Sequence, residues 1–204
     1  MKVFTKAIAS GLMIGVGVTI YLSCSNKIVG AVLFSIALFF ICSFGMNLYT
    51  GKVGYILQNR NNPNCLVIWL GNFVGTAAAA ALVRIAKPQL SLAAKELMAA
   101  KLQQSWLSIC ILSFFCGILM YLAVENYATN PSDIGKTLGI FLCVTTFILS
   151  GFEHSIADIG YAAMAVSSLP EAGRMIVFLA VVSVFNGVGA VMLHSLQKYN
   201  KVNN

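Results

Sequence analysis

The sequence predicts an all-α membrane protein of about six transmembrane helices, the second and fifth of them broken. Of its 204 residues, 59% are hydrophobic and 9% charged, with a mean hydropathy of +0.86. A soluble domain carries roughly 25% charged residues. The apolar residues gather into six runs close to the ~20 residues that a helix needs to cross a bilayer core. Two of these runs hold a glycine followed closely by polar residues, at corresponding positions in the two halves of the chain.

The runs cover residues 4–22, 28–57, 65–85, 106–124, 138–164 and 175–196. In lipid only a helix or a closed barrel satisfies every backbone group. These runs are too long and continuous for barrel strands, which alternate over ~10 residues. The first begins like a signal peptide, but its apolar stretch reaches Leu22 and reads as a retained first helix. It and the third carry GxxxG spacings, Gly11–Gly15 and Gly71–Gly75, which read as close helix packing. The connectors 23–27, 58–64, 87–104, 125–136 and 167–173 are polar. Together the runs form one transmembrane domain over 1–204.

The thirteen Lys and Arg sit almost wholly at the ends of apolar runs and give a net charge of +7. That pattern anchors helices in a membrane; no basic cluster with interleaved aromatics supports nucleic-acid binding. With both termini inside, the cytoplasmic side would hold Lys2, Lys6, Lys52, Arg60, Lys136, Lys198 and Lys201. The other side would hold Lys27, Arg84, Lys87, Lys95, Lys101 and Arg174, so charge alone votes weakly on orientation. The third connector and its edges concentrate positive charge, which suggests that they attract a substrate. Six cysteines form no CxxC pair and read as small membrane-buried hydrophobes. His194, near Lys198, reads as interfacial.

The second run breaks near 42–48 and the fifth near 149–152. After Gly45 come Asn47 and Thr50; after Gly151 come Glu153, His154 and Asp158. Paired interruptions in two halves point to a transport site built from broken helices, although glycine also serves ordinary helix packing. A charge at the bilayer centre costs ~2.5–3.5 kcal/mol or more, so Glu153 needs a partner or a cavity: it orients the imidazole, caps a half-helix or pairs with a lysine. His154 reads either as a pore-lining donor or as a histidine joining two helices. Asp158, four residues on and on the same face, either supports His154 or packs the helix against a neighbour. Phe34, Leu38 and Phe147 are candidate apolar gates, equally compatible with plain packing.

The strings GMNLYTGK (45–52), WLGNFVG (69–75) and SGFEHSIAD (150–158) resemble the formate/nitrite transporter family, and the similarity extends across nearly the whole chain. The resemblance implies an aquaporin-like fold with an inverted repeat of three plus three helices, assembled as a homopentamer. It implies an inner (plasma) membrane protein with both termini cytoplasmic, and as cargo a small monovalent anion such as formate, nitrite, hydrosulfide, acetate or lactate. By the same resemblance His154 matches the central pore histidine and Thr50 its hydrogen-bonding partner. Phe34, Leu38, Leu48, Tyr49 and Phe147 match the constrictions, Lys101 matches a vestibule lysine, and Glu153 its acidic neighbour.

Three positions depart from the family pattern. Asp158 stands where Asn is usual, Gly117 where a polar Asn is frequent, and Tyr49 where Phe is commonest. The expected mechanism draws a weak-acid anion into a positive vestibule and an apolar slit. There it crosses either as the neutral acid, with proton coupling at the central histidine, or as the bare anion. The competing expectation is an aquaporin-like channel for a neutral small solute, disfavoured because neither break contains an NPA motif. An enzyme is disfavoured too, since Glu153, His154 and Asp158 fall short of a usual metal set and no nucleophile or phosphate motif accompanies them. A purely structural subunit would not require two aligned polar breaks. No cofactor or metal is expected.

Overall fold

The computed structural model describes residues 1–57 and 64–202, and among these there is no strand. Most of the 58–64 connector, Arg60 included, and the Lys201 side chain lie outside the described residues. Nine α-helices are described: α1 (Lys2–Ser23), α2 (Lys27–Ser43), α3 (Tyr49–Lys52), α4 (Cys65–Ala86), α5 (Leu90–Leu102), α6 (Trp106–Thr129), α7 (Asp133–Leu149), α8 (Ser155–Ala165) and α9 (Leu169–Val202). A 3-10 turn, Val53–Tyr55, continues α3.

Polar side chains set where several of these helices begin. Asn26 accepts from the Ile28 and Val29 amides, Asn64 from Val67, Ser105 from Ser108 and Ser132 from Gly135. Each satisfies an amide that would otherwise be orphaned in the first turn. Among the described residues, four helices are long and apolar enough to cross a membrane: α1, α4, α6 and, over residues 170–200, α9. At 17 residues each, α2 and α7 reach only about 25 Å at 1.5 Å per residue. A short helix follows each of them across a break.

The 87–104 connector departs from expectation, because it contains α5 rather than a loop. Its sequence, LSLAAKELMAAKL, is rich in strong helix formers. It buries Leu90, Ala94 and Met98 at four-residue spacing, so its helical stripe had been hidden by its lysines. The helices flanking the runs are also longer than their apolar parts: α7 starts at Asp133 and α9 at Leu169.

Two helix pairs frame the molecule, α1 against α4 and α6 against α9. Both depend on backbone approach too close for a side chain. A Cβ on Gly75 would lie 2.1 Å from the Ile8 carbonyl oxygen, and one on Gly189 would lie 2.0 Å from that of Phe114. The packing reading of the GxxxG spacings therefore holds, with Gly71 seated on Ala7 and Phe4. His194, read as interfacial, is 8% exposed, and its Nδ1 lies 3.0 Å from the Tyr121 hydroxyl.

The two breaks share one backbone device. Gly45 (φ +59°) and Gly151 (φ +67°) adopt the left-handed conformation that side chains resist. The Gly45 and Met46 amides bond the Cys42 and Ile41 carbonyls, while those of Gly151 and Phe152 bond Ile148 and Phe147. This pair of reversed bonds is a Schellman ending, and it stops α2 and α7 in the same way.

Candidate pore constriction

Each break runs three residues past its glycine before a new helix starts, and one buried asparagine holds each in place. Asn72, from α4, donates to the Asn47 and Ala7 carbonyls (both 2.8 Å) and accepts from the Tyr49 amide (2.8 Å). Asn186, from α9, donates to the Glu153 (2.8 Å) and Ser113 (2.7 Å) carbonyls and accepts from the Ser155 amide (2.9 Å). Both asparagines are fully buried. In each case the clamp ties the residues two and four places beyond the glycine to the first helix of that half. Unwound backbone at membrane depth needs protein partners of this kind.

The residues held by the two clamps meet. Thr50 Oγ1 and His154 Nε2 lie 2.9 Å apart, with both side chains buried. The roles in that bond follow from the other ring nitrogen. His154 caps α8, and its Nδ1 lies 3.1 Å from the Ala157 amide. An amide only donates, so Nδ1 carries the lone pair and the proton sits on Nε2. The neutral imidazole therefore donates to the threonine, leaving the Thr50 hydroxyl proton for another acceptor.

Aromatic and aliphatic groups close around this pair. The Phe147 ring stacks on the imidazole at 5.3 Å, and Phe34 meets Phe147 edge-on at 6.1 Å. Phe34, Leu38 and Leu48 are each about 1% exposed and Phe147 4%. All four belong to one apolar cluster.

Two cavities of about 110 Å³ each flank the constriction. One follows the Gly45 break and is lined by Ile41, Cys42, Leu48, Lys52 and Tyr127. The other follows the Gly151 break and is lined by Phe147, His154, Asp158, Tyr21 and Lys101.

Lys101, expected as a vestibule cation, lines the second cavity with its charge already engaged. Its ammonium is paired with Glu153 and with Asp158 Oδ1 (3.0 Å), and it lies 5.9 Å from the Tyr161 ring centroid. Glu153 also accepts from Gln104 Nε2 at 2.7 Å. Asp158 thus turns toward Lys101 rather than His154, contacting the latter through its amide, which bonds the His154 carbonyl at 2.9 Å.

Three further expected residues are engaged by neighbouring helices. Asn47 donates to the Val3 carbonyl at 3.3 Å, toward α1. The Tyr49 hydroxyl is engaged by the Ser183 carbonyl at 3.0 Å. A Cβ on Gly117 would lie 2.0 Å from the Asn186 carbonyl oxygen, so glycine there serves the approach of α6 to α9.

Asn72, Asn186 and Gln104 were not anticipated. A signal for the first two was present: each half places an N-x-x-G string in its last long helix, at 72–75 and 186–189. An amide amid apolar residues of a membrane helix calls for a partner.

Comparison with known proteins agrees with this geometry. The family model described as "Formate/nitrite transporter" matches residues 1–200. The formate channel FocA of Haemophilus influenzae is 26% identical over 147 residues, covering 65% of this chain and 52% of that one. FocA of Escherichia coli is 26% identical over 182 residues, covering 78% and 64%. The Escherichia coli nitrite transporter NirC is 26% identical over 176 residues, covering 76% and 65%. The chain thus spans about half to two-thirds of the length of these relatives. A solved pentameric formate channel with formate bound shares the fold at a TM-score of 0.86 and 24% identity, covering 100% of this chain and 97% of that one. An FNT family ion channel superposes at 0.82 with 21% identity, covering 98% and 90%. With the match running almost end to end and the paired breaks in place, the chain belongs to the formate/nitrite transporter family.

Proposed function

We propose that this protein conducts small monovalent anions of weak acids, such as formate, nitrite or hydrosulfide, across the inner membrane. The observation that carries the reading is the His154–Thr50 pair. A neutral imidazole, its tautomer set by a helix amide, passes a hydrogen-bond chain to a hydroxyl in an apolar slot between two cavities. Such a slot disfavours bare charge, so the anion crosses with a proton, as the neutral acid. The donors at His154 and Thr50 replace the water it leaves behind.

In this reading α1, α2 with α3, and α4 are three spans, and α6, α7 with α8, and α9 are the other three. The halves are inverted, both termini are cytoplasmic, and the assembly is a homopentamer like the solved formate channel it resembles. The matching glycines and asparagines of the two breaks support the repeat.

Flux into liposomes tests the reading. The reconstituted chain should move at least one of formate, nitrite, hydrosulfide, acetate and lactate, with uptake rising as external pH falls. A voltage-dependent current without proton uptake would replace neutral-acid passage by bare-anion conduction. Osmotic swelling in water or glycerol gradients with no anion flux would favour a neutral-solute channel.

A further inference from the structure

Charge does not balance at the mouth beside the Gly151 break. One ammonium, Lys101, faces two carboxylates, Glu153 and Asp158, each 1% exposed. Glu153 is satisfied on both oxygens, by Lys101 and by Gln104. Asp158 is satisfied on one: Oδ1 meets Lys101, while Oδ2 is buried with no hydrogen-bond partner in the protein. A buried ionised oxygen without a partner is costly. A protonated oxygen is a donor, and the Glu153 carboxyl in contact with Asp158 is its resident acceptor until a ligand takes that place. The same aspartate lines a cavity of about 110 Å³ shared with His154. A water needs only roughly 10–15 Å³ of such space, so an anion of three or four heavy atoms fits.

The other groups around Asp158 leave this role to it. Lys101 approaches from α5, and Glu153 and His154 lie in the break. Tyr161 on α8 and Tyr21 on α1 line the same cavity, and the buried Cys116 thiol of α6 lies within electrostatic reach of Asp158. α9 presents the neutral Asn186 to the start of α8, and Arg84 of α4 is bonded to the Val166 carbonyl at its opposite end.

We propose that Asp158 carries an exchangeable proton at this mouth and passes it to the incoming weak-acid anion. The substrate class is a monovalent carboxylate or oxoanion that can accept one hydrogen bond from a carboxylic acid. The step is a proton transfer: the Asp158 O–H bond breaks, an O–H bond forms on the anion, and the neutral acid moves on to His154 and Thr50. The aspartate left behind is a carboxylate beside Lys101, and it takes a new proton from water on the same side. Each passage therefore carries one proton with one anion. The inference rests on the transport reading and names the proton's source within it.

Formate uptake by the full chain in liposomes, with a trapped pH dye, provides the test. Asp158→Asn keeps an acceptor for Lys101 but cannot carry the proton. At pH 7 its formate uptake should fall on the order of a hundredfold, the lower end of what a positioned general acid supplies. Its residual rate should follow the formic acid present in bulk, about tenfold per pH unit, where the wild type has a flatter profile. A variant with wild-type rate and pH profile overturns the proposal. A wild-type chain that moves none of the anions overturns the transport reading instead.

Infrared difference spectra settle the matter if the variant does not assemble. The wild type should show a carboxylic-acid C=O band that shifts when formate is added and that moves in frequency in Asp158→Glu, which keeps the two carboxyl groups facing Lys101. Absence of the band in the wild type, or an unmoved band in Asp158→Glu, overturns the assignment to Asp158.

Discussion

Three places beyond Gly45 stands Leu48 and seven places beyond it Lys52; the same places beyond Gly151 hold His154 and Asp158. Around them the two breaks coincide. Each has a left-handed glycine, a Schellman ending, an asparagine making three bonds and a cavity of about 110 Å³. The lesson is a division of labour. Glycine and asparagine build the same backbone twice, and the side chains placed on it give one half an apolar wall beside Lys52 and the other a histidine with buried charge. Losses common to both halves should therefore reflect the scaffold, and losses confined to one half its chemistry.

The largest expected asymmetry is between the two lysines. Lys101→Met strands two buried carboxylates, and removing one partner of a buried pair costs about 3–5 kcal/mol. Thermal melts of the purified protein in detergent should show that loss, and acidification should return part of it as the stranded carboxylates take up protons. Lys52→Met, which strands no carboxylate among the described residues, should melt within about 0.5 kcal/mol of wild type. Equal melting of the two variants would remove the electrostatic contrast between the cavities.

Next come the asparagines, where symmetry itself is predicted. Asn72→Ala leaves the Asn47 carbonyl and Tyr49 amide without partners, and Asn186→Ala does the same to the Glu153 carbonyl and Ser155 amide, while Ala7 and Ser113 stay bonded within their helices. At about 1–3 kcal/mol per group, each should cost at least about 2 kcal/mol, and the two costs should agree within about 1 kcal/mol. A large discrepancy would mean that the two breaks are held by different means.

How much of this could be read from the chain depends on the range of the interaction. The breaks were legible because a glycine and its following polar residues are local, and the pairing of Thr50 with His154 came through the family resemblance of LYTG and SGFEHSIA. The clamps were not read, since Asn72 and Asn186 act on residues far away in sequence and one of them lay inside a GxxxG spacing. Lys101 was legible as a charge, and a lysine was one of the partners expected for Glu153, but the sequence did not join those two residues. A net count of basic residues records no ion pair, so the positive connector concealed two buried carboxylates that face one of its lysines. The α5 helix was missed for a related reason, its lysines masking a buried stripe of Leu90, Ala94 and Met98.

The glycines sharpen the comparison at smaller magnitude. Nothing lies within 4 Å of a Cβ built on Gly45 or Gly151, so alanine at either site meets no steric clash. The cost is the left-handed backbone alone, about 1–2 kcal/mol, and Asn should recover part of it. Equal shifts in melting temperature for Gly45→Ala and Gly151→Ala would support a shared device. A much larger effect at Gly151 would instead implicate the Lys101 cluster beside it.

Thr50→Val separates chemistry from scaffold more finely. It preserves shape but leaves the His154 Nε2 proton without its acceptor, an imbalance worth about 1–3 kcal/mol. Flux should drop roughly tenfold to a hundredfold at that cost. The clamps beside it remain intact, so assembly should not change. Loss of assembly would mean that the His154–Thr50 bond is a structural tie between the halves, and normal flux would remove the pair from the conduction path.

Lys52 carries the smallest expected effect and the one most sensitive to conditions. Its cavity contains no carboxylate among the lining residues, whereas Lys101 is already paired with Glu153 and Asp158. Of the two, Lys52 is therefore the lysine whose field reaches an approaching anion. Steering by a partly exposed charge acts on the rate of encounter and is screened over about 8–10 Å at physiological salt. Lys52→Met should accordingly slow anion entry from its own side about two- to threefold at low ionic strength, and by less at high salt. Entry from the Asp158 side should be unchanged. A salt-independent loss in both directions would place Lys52 in the structure of the break rather than in the field above it.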